Sequence, residues 1–353
     1  MNRSLVEILS NYELGQIKKA RPFGNGHINK TFLIETNTGK YILQKISTAA
    51  FKDVHQLMQN MLIVTSCLRR QGVPTIEIIK TTDNSLYVEY HHGFFRVYRY
   101  IDNTVTYETL NGDLSLASKL GATFGEFHAY LSCLDPHTIE ETIPHFHDTP
   151  KRYNDFLNAI SEADQSKIDH ANKEIQKVLS WKNKYSILMD ALKEEIIPLR
   201  VIHNDAKINN ILFKNGEPYC VVDLDTVMPG TVLFDIGDAF RSLFTGENED
   251  NPDLSLQTVK LDIFETYMRG YLSKTKSFIS KEGIKLIPEA IFLMTIECGM
   301  RFLEDYLRGN VYFHVQYEEH NLVRARTQIT LAEDILMHQE DFKRILKKLD
   351  EEK

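Results

Sequence analysis

Hydrophobic periodicity changes once along this chain, and the change fixes two kinds of architecture in a set order. Before about residue 101 the apolar residues gather in short runs rich in β-branched and aromatic side chains. The runs are 40–46 (K-Y-I-L-Q-K-I), 86–90 and 94–101, bounded by T-N-T-G, D-N-S and H-H-G turn signals. Their close spacing predicts antiparallel pairing. One helix interrupts them: Val54, Leu57, Met58, Met61, Leu62 and Leu68 recur at helical intervals within 50–70, and Gly72 with Pro74 ends the run. Beyond Asn103 the pattern turns helical, with Leu116, Leu120, Phe124, Phe127 and Leu131 forming one buried stripe. Residues 134–153, holding Pro136, Pro144 and Pro150, read as loop, and helices fill 154–195. Strand and turn character returns across 200–225, and helical spacing resumes from 256 to the end. With no repeat and no low-complexity linker, the expected class is α+β. A small antiparallel sheet lobe (1–101) leads directly into a larger, mainly helical lobe (102–353).

Composition removes several functions. The 353 residues carry 41 basic and 49 acidic side chains, a net charge of −8, without a long Lys/Arg block, which argues against nucleic acid as a partner. No apolar run reaches the roughly 18 residues of a membrane span. The opening M-N-R-S-L-V-E-I-L-S sets an acid inside a very short apolar stretch, unlike a signal or transit peptide, so a cytosolic chain is expected. Cys67, Cys133, Cys220 and Cys298 lie far apart with no C-x-x-C and read as reduced core cysteines.

The chemistry concentrates in V-I-H-N-D-A-K-I-N-N-I-L-F (201–213) and V-V-D-L-D (221–225). His203, Asp205 and Asn210 have the spacing H-x-D-x-x-x-x-N, and Asp223 follows at the end of an apolar run, after a turn near Asn215 and Gly216. A kinase catalytic loop has this form. Phosphoryl transfer needs a fixed carboxylate facing the acceptor hydroxyl, here Asp205, and hard oxygen ligands for Mg²⁺, here Asn210 and Asp223. Taken singly, either aspartate would read as a turn cap after a buried strand; the joint offsets favour catalysis. Lys207 has reach to the transferring phosphate, and its position suits a solvated lysine equally well. Upstream, F-G-N-G-H-I-N (23–29) sits between strand-like runs. It lacks the G-K-[ST] of a P-loop, and alone it reads as a hairpin turn. In a kinase-like lobe the backbone of Gly24 and Gly26 would cover the phosphates of ATP, and Lys45 on the following strand would hold the α and β phosphates.

These blocks, with D-L-D-T-V-M-P-G (223–230), D-I-G-D (235–238) followed by Arg241, and E-C-G-M-R-F-L-E-D-Y (297–306), run in order through most of the chain. Together they resemble the aminoglycoside phosphotransferase superfamily, and within it the family of N-acetylhexosamine 1-kinases. The resemblance implies a two-lobed protein-kinase-like fold with ATP and Mg²⁺ as cofactors. It also implies phosphorylation of the anomeric C1 hydroxyl of N-acetylglucosamine or N-acetylgalactosamine. Carried over position by position, it makes His27, Arg301 and Tyr312 sugar-binding residues. His27 also fits an exposed loop histidine, and Arg301 also fits a salt bridge to Glu304 or Asp305 on its own helix. Two departures stand out. The only acid between Ile46 and Glu77 is Asp53, too close in sequence to Lys45 to be its partner, so either Gln59 stands in or the lysine is held otherwise. Asn204 replaces the glycine of the usual H-G-D, as it does in the hexosamine kinases, against antibiotic modification. Asp235 and Asp238 are expected to brace the catalytic loop and pair with Arg241. His137, His145 and His147 read as solvated loop residues, and Trp181 as core. The competing readings are a kinase of an aminoglycoside or another small hydroxylated metabolite, and a nucleotide-binding pseudokinase without turnover. The expected partner is a small sugar, with no nucleic acid and no membrane, and the sequence sets no oligomeric state.

Overall fold

The computed structural model describes residues 3–24, 29–245 and 249–352. In chain order the elements are α1 (Arg3–Leu9), β1 (Ile17–Pro22), β2 (Lys30–Thr36), β3 (Lys40–Ile46), α2 (Val54–Arg70), β4 (Ile78–Ile79), β5 (Val88–Tyr90), β6 (Gly93–Arg99) and α3 (Leu114–Leu131). There follow α4 (Thr149–Glu162), α5 (Gln165–His170), α6 (Asn172–Ser180), α7 (Ile187–Lys193), β7 (Arg200–Ile202), β8 (Ile211–Lys214), β9 (Glu217–Val221) and β10 (Met228–Gly230). The remainder is α8 (Val232–Thr245), α9 (Leu261–Thr275), α10 (Lys281–Leu307), α11 (His320–Met337) and α12 (Gln339–Glu351). The chain is a mixed α+β protein with a small antiparallel sheet and a larger helical portion. It packs as two compact units, the first of residues 1–105, 137–144 and 212–228, the second of 106–136, 145–211 and 229–353.

In the first unit the strands run β1-β2-β3-β6-β4, with β5 also on β6, all antiparallel. Residues 40–46 and 94–99 pair as the spacing predicts, in a register that sets Lys45 opposite Phe95 and Gln44 opposite Arg96. Ile34, Tyr41, Leu43 and Val97 face one side of the sheet and are covered by Ile8, Leu9, Tyr12 and Leu14, in and just after α1, a short helix without a marked periodic signal. Helix α2 starts at Val54, later than the apolar run suggests, because Asp53 caps it by accepting the Gln56 N–H at 3.0 Å. The hairpin β8-β9 turns at Asn215 and Gly216, both left-handed (φ 54° and 78°), which places Asn and Gly where a type I′ turn wants them.

The second unit is helical, and its closest contact is between α3 and α9. A Cβ on Gly121 would lie 2.0 Å from the Tyr267 carbonyl oxygen, and one on Gly270 would lie 2.1 Å from that of Ser118. Backbone meets backbone there, which only glycine allows. Helix α8 is almost wholly buried, and α10 is buried over most of its length. The Pro-rich stretch before Tyr153 is not all loop: α4 begins at Thr149, capped by Asp148, with Pro150 in its first turn, where a missing N–H costs no bond. All four cysteines are free; Cys67 and Cys220 are buried, Cys298 is half-buried, and Cys133 is exposed, so it is not a core residue. Trp181 is also only half-buried and meets Phe292 edge-on. Among the described residues no helix is long and apolar enough to cross a membrane.

Candidate active site

In the second unit the catalytic-loop motif is held from beneath. Strand β7 ends at Ile202, and Asp235 at the start of α8 accepts the N–H groups of His203 (2.7 Å) and Asn204 (2.6 Å). The same carboxylate meets His128 Nε2 at 2.7 Å, whose Nδ1 reaches the Tyr271 hydroxyl at 2.8 Å. Burial works against the Asp235 charge, but His128 and these N–H groups outweigh it and lower its pKa. Asn204 takes the left-handed conformation (φ 62°), which asparagine tolerates better than most residues, so it replaces glycine in this turn without difficulty. Asp205 follows, and Asn210 donates its side-chain amide to the Asp205 carbonyl (2.8 Å) and to its Oδ2 (2.9 Å). Lys207 Nζ lies 2.5 Å from Asp205 Oδ1. Burial raises the Asp205 pKa, yet Lys207, then His203 and Asn210, override it and hold the value at about 2. Burial likewise opposes the Lys207 charge, and Asp205 and Asp238 reverse the effect and raise its pKa.

The charged surface continues from Lys207 to α10. Asp238 grips Arg241 at 2.8 and 2.9 Å, and Arg241 reaches Glu249 at 2.9 Å. Cys298 Sγ contacts the same Glu249 oxygen at 3.7 Å, and burial, against the opposing pull of Arg241 and Arg301, pushes its thiol up to about 12. One turn on, the Arg301 guanidinium lies 5.7 Å from the Phe146 ring, 5.9 Å from Tyr312 and 5.6 Å from Phe313. The own-helix salt bridge that the sequence allows is not made among the described residues. Glu304 pairs with Arg308, and Asp305 accepts the N–H groups of Val311, Tyr312 and Phe313, which shapes the turn carrying Tyr312. Tyr312 is 64% exposed. Asp205, Lys207, Asp238, Arg241, Glu249 and Arg301 thus form one sequence of alternating charge ending in an aromatic frame.

In the first unit Gly24 is left-handed (φ 73°) with open space where a Cβ would be, while Gly26 and His27 lie outside the described residues. Lys45 is exposed on β3, its Nζ 6.0 Å from the Phe95 ring. Among the described residues it has neither an ion pair nor a bond to Gln59. The buried charge of this unit is Arg96, which no motif in the sequence singles out. Its guanidinium lies 2.7 Å from Asp225, with side-chain exposures of 2% and 3%. It also donates to Gln44 Oε1 at 2.8 and 3.1 Å and contacts Met61 Sδ at 3.0 Å. Asn29 joins this hub, donating to Asp225 Oδ2 (2.7 Å) and accepting the Ser47 N–H (3.0 Å), so the end of the glycine loop is tied to the D-L-D turn. Asp225 is therefore spent internally, whereas Asp223, left-handed at φ 59°, is exposed. An arginine amid F-F-R-V-Y-R was the available signal, because a buried cation requires a buried anion.

Each residue by itself has the chemistry of a magnesium ligand. In the second unit Asn210 spends its amide hydrogens on Asp205, which leaves its side-chain carbonyl oxygen for another partner; in the first unit Asp223 carries an exposed carboxylate. Mg²⁺ takes hard oxygen donors of both kinds together with substrate phosphates. The histidines of the Pro-rich segment make no metal site: no metal-holding group of three His, Cys, Asp or Glu occurs among the described residues. His145 is exposed, as expected, but His147 is not solvated. It is half-buried, its side chain only 10% exposed, against Glu297, 150 residues away, a partner that sequence spacing cannot reveal.

Residues 19–269 match the phosphotransferase enzyme family (APH). Among solved structures, an aminoglycoside phosphotransferase from Alicyclobacillus acidocaldarius is 12% identical, with 97% of this chain and 96% of that one covered and a TM-score of 0.65. Amicoumacin kinase, in complex with AMP-PNP and Ca²⁺, is 15% identical over 92% of each chain with a TM-score of 0.62. Choline kinase from Cryptosporidium parvum is 15% identical over 98% of each chain with a TM-score of 0.60. At these identities the likeness is one of fold, a kinase-like fold shared by proteins named for different small acceptors. The family match spans well over half of this chain, and the chain belongs to the phosphotransferase enzyme family.

Proposed function

We propose that this protein is an ATP-dependent kinase that phosphorylates the anomeric C1 hydroxyl of N-acetylhexosamines, N-acetylglucosamine and N-acetylgalactosamine. Residues 1–101 act as the nucleotide-binding lobe, and 102–353 carry catalysis and acceptor binding. Gly24 and Gly26 cover the ATP phosphates, Lys45 holds the α and β phosphates, and Lys207 serves the transferring group. Asn210 and Asp223 hold Mg²⁺, which when bound neutralises phosphate charge. Asp205 accepts the acceptor hydroxyl as a hydrogen-bond donor. The hydroxyl oxygen bonds to the γ phosphorus as the bond to the β-bridging oxygen breaks, the proton passes to Asp205, and ADP leaves. A carboxylate with a pKa of about 2 is ionised throughout the working range and weakly basic, so it orients the hydroxyl early and takes the proton late. That order suits the loose transition state of phosphoryl transfer. Each contact Lys207 makes with phosphate loosens its hold on Asp205, which makes Asp205 more basic.

The observation that carries the acceptor class is Arg301. Its fork of donors is framed by Phe146, Tyr312 and Phe313, with no carboxylate paired to it among the described residues, whereas Arg241 and Lys207 are each held by carboxylates. That Arg301 cation disfavours a polycationic aminoglycoside, and an aromatic frame already filled by a guanidinium does not serve a quaternary ammonium. It suits a neutral polyhydroxylated acceptor, with His27 and Tyr312 completing the sugar contacts. The test is incubation with ATP, Mg²⁺ and a panel of N-acetylhexosamines, other sugars, aminoglycosides and choline, with product mass and phosphate position read out. N-acetylhexosamine 1-phosphates are expected; a phosphorylated aminoglycoside or choline as the main product overturns the acceptor, and ATP binding without transfer to any acceptor supports the pseudokinase.

A further inference from the structure

Asn204 is held at both ends. Its N–H donates to Asp235, and its carbonyl, part of the peptide bond leading into Asp205, faces His147 Nε2 at 3.3 Å. The other ring nitrogen, Nδ1, lies 2.9 Å from Glu297 Oε1. Glu297 is buried on α10 and takes the Thr149 hydroxyl on its second oxygen at 2.7 Å. The His147 ring is packed between Phe146 (4.5 Å) and Phe234 (5.3 Å), so it has no room to turn toward other partners. Both groups it meets are acceptors. A neutral imidazole donates once and accepts once and leaves one of them unmet; only the imidazolium, with two N–H groups, satisfies both.

We propose that His147, held as an imidazolium by Glu297, is a positioning residue that fixes the Asn204–Asp205 peptide, and that loss of its proton frees the catalytic loop. The proposal rests on Asp205 being the acceptor-facing carboxylate.

The surroundings favour the charged ring. Burial disfavours it, but Glu297 from α10 and Asp238 from α8 outweigh burial and raise the His147 pKa. Glu297 keeps its own charge despite burial because His147, Thr149 and Arg152 on α4 lower its pKa. With the folded value raised above the ordinary imidazole value, the imidazolium is complete at low pH and is lost as pH rises through the folded value. Turnover should decline on that alkaline limb.

The experiment uses the full chain in three readouts. First, long-range ¹H–¹⁵N spectra of histidine-labelled protein, assigned with His147→Gln, should show both ring nitrogens protonated at pH 7; a neutral ring at pH 6 and 7 overturns the proposal. Second, hydrogen–deuterium exchange of peptides covering 201–211 should quicken at least tenfold in His147→Gln, and in the wild type as pH passes through the His147 titration, after correction for intrinsic exchange. Unchanged protection in both overturns it without reference to any acceptor. Third, kcat should fall roughly 10- to 100-fold in His147→Gln, with the ATP KM within about twofold and the alkaline limb abolished, as expected for a misplaced catalytic group. Wild-type kcat and an unmoved limb in that variant overturn the proposal while leaving the kinase reading intact. A panel with no phosphorylated acceptor sinks the kinase reading, and the spectra and exchange still decide whether His147 holds the loop. If His147→Gln does not fold, titration of the wild-type spectrum, exchange and rate against pH decides between the same outcomes.

Discussion

The replacement Arg96→Met tests how the first unit holds its charged hub. Methionine keeps an unbranched apolar stem and removes the guanidinium, with its Nη1 contacts to the sulfurs of Met58 and Met61. That guanidinium is the partner of Asp225, with both side chains almost fully buried, and burial opposes its charge while Asp225 raises its pKa. Removing one member of a buried pair leaves an uncompensated carboxylate and should cost about 3–5 kcal/mol, and loss of the two bonds to Gln44 favours the upper end. For a chain of this size that lowers Tm by roughly 4–7 °C. Asp225 will escape part of the penalty by taking up a proton. Its folded pKa then lies above the unfolded value, so the variant is most stable at mildly acidic pH and loses stability as pH rises toward the new value. Arg96→Met/Asp225→Leu removes both charges and should recover at least about 2 kcal/mol of the loss, because an apolar pair of similar volume often replaces a buried ion pair at little cost. The assay is thermal and urea unfolding of the wild type, both single variants and the double variant between pH 5 and 8. A loss under about 1 kcal/mol in Arg96→Met, or a double variant equal to the sum of the singles, would refute the reasoning. Because Asn29 shares Asp225, the single variant should also raise the ATP KM, whereas the acceptor KM should hardly move.

Three further outcomes are expected. Asp205→Asn should keep fold and ATP KM and lower kcat by about 10²–10⁴-fold if proton acceptance matters, with retention of much activity pointing to orientation alone; Asp205→Ala separates the two, and normal kcat in both would remove Asp205 from the mechanism. Asp223→Ala should abolish turnover and weaken Mg²⁺-dependent nucleotide binding in titration calorimetry, and unchanged Mg²⁺ dependence would reject the assignment. Arg301→Lys keeps the cation but loses the planar fork, so the acceptor KM should rise about tenfold with the ATP KM constant, which steady-state kinetics on the preferred sugar checks.

What the sequence disclosed was what lies close together along the chain. Asp205, Lys207 and Asn210 meet because a strand end and one 3-10 turn bring them together, and Asp238 grips Arg241 across a single helical turn. Asn215-Gly216 specifies its own hairpin. What it concealed was set by distance: Arg96 finds Asp225 129 residues away, and His147 finds Glu297 150 away, neither with a spacing rule to announce it. Composition misled in the same region, since prolines and histidines between 134 and 153 suggested a wet loop, whereas Pro150 lies in the first turn of α4 and His147 is turned against Glu297. The Arg301 environment was half legible. Its own-helix acids were visible, but their diversion to Arg308 and to the backbone of 311–313 depends on the folded turn.

The glycine contact between α3 and α9 bears on how a protein of this kind can change. Tyr271 on α9 and His128 on α3 lead to Asp235, and so to the backbone of the catalytic loop, through hydrogen bonds that tolerate little sliding of one helix past the other. Gly121 and Gly270 lock that sliding coordinate. An alanine at either position pries the helices apart and, although the seam itself bears no proposed acceptor contact, carries the displacement to Asp205. The exposed Tyr312 and its neighbours on the 311–313 turn bear no such duty. Selection for a new acceptor therefore has its freedom at the aromatic frame and almost none along the glycine seam, so a library aimed at altered acceptor preference should vary the turn and leave the seam untouched.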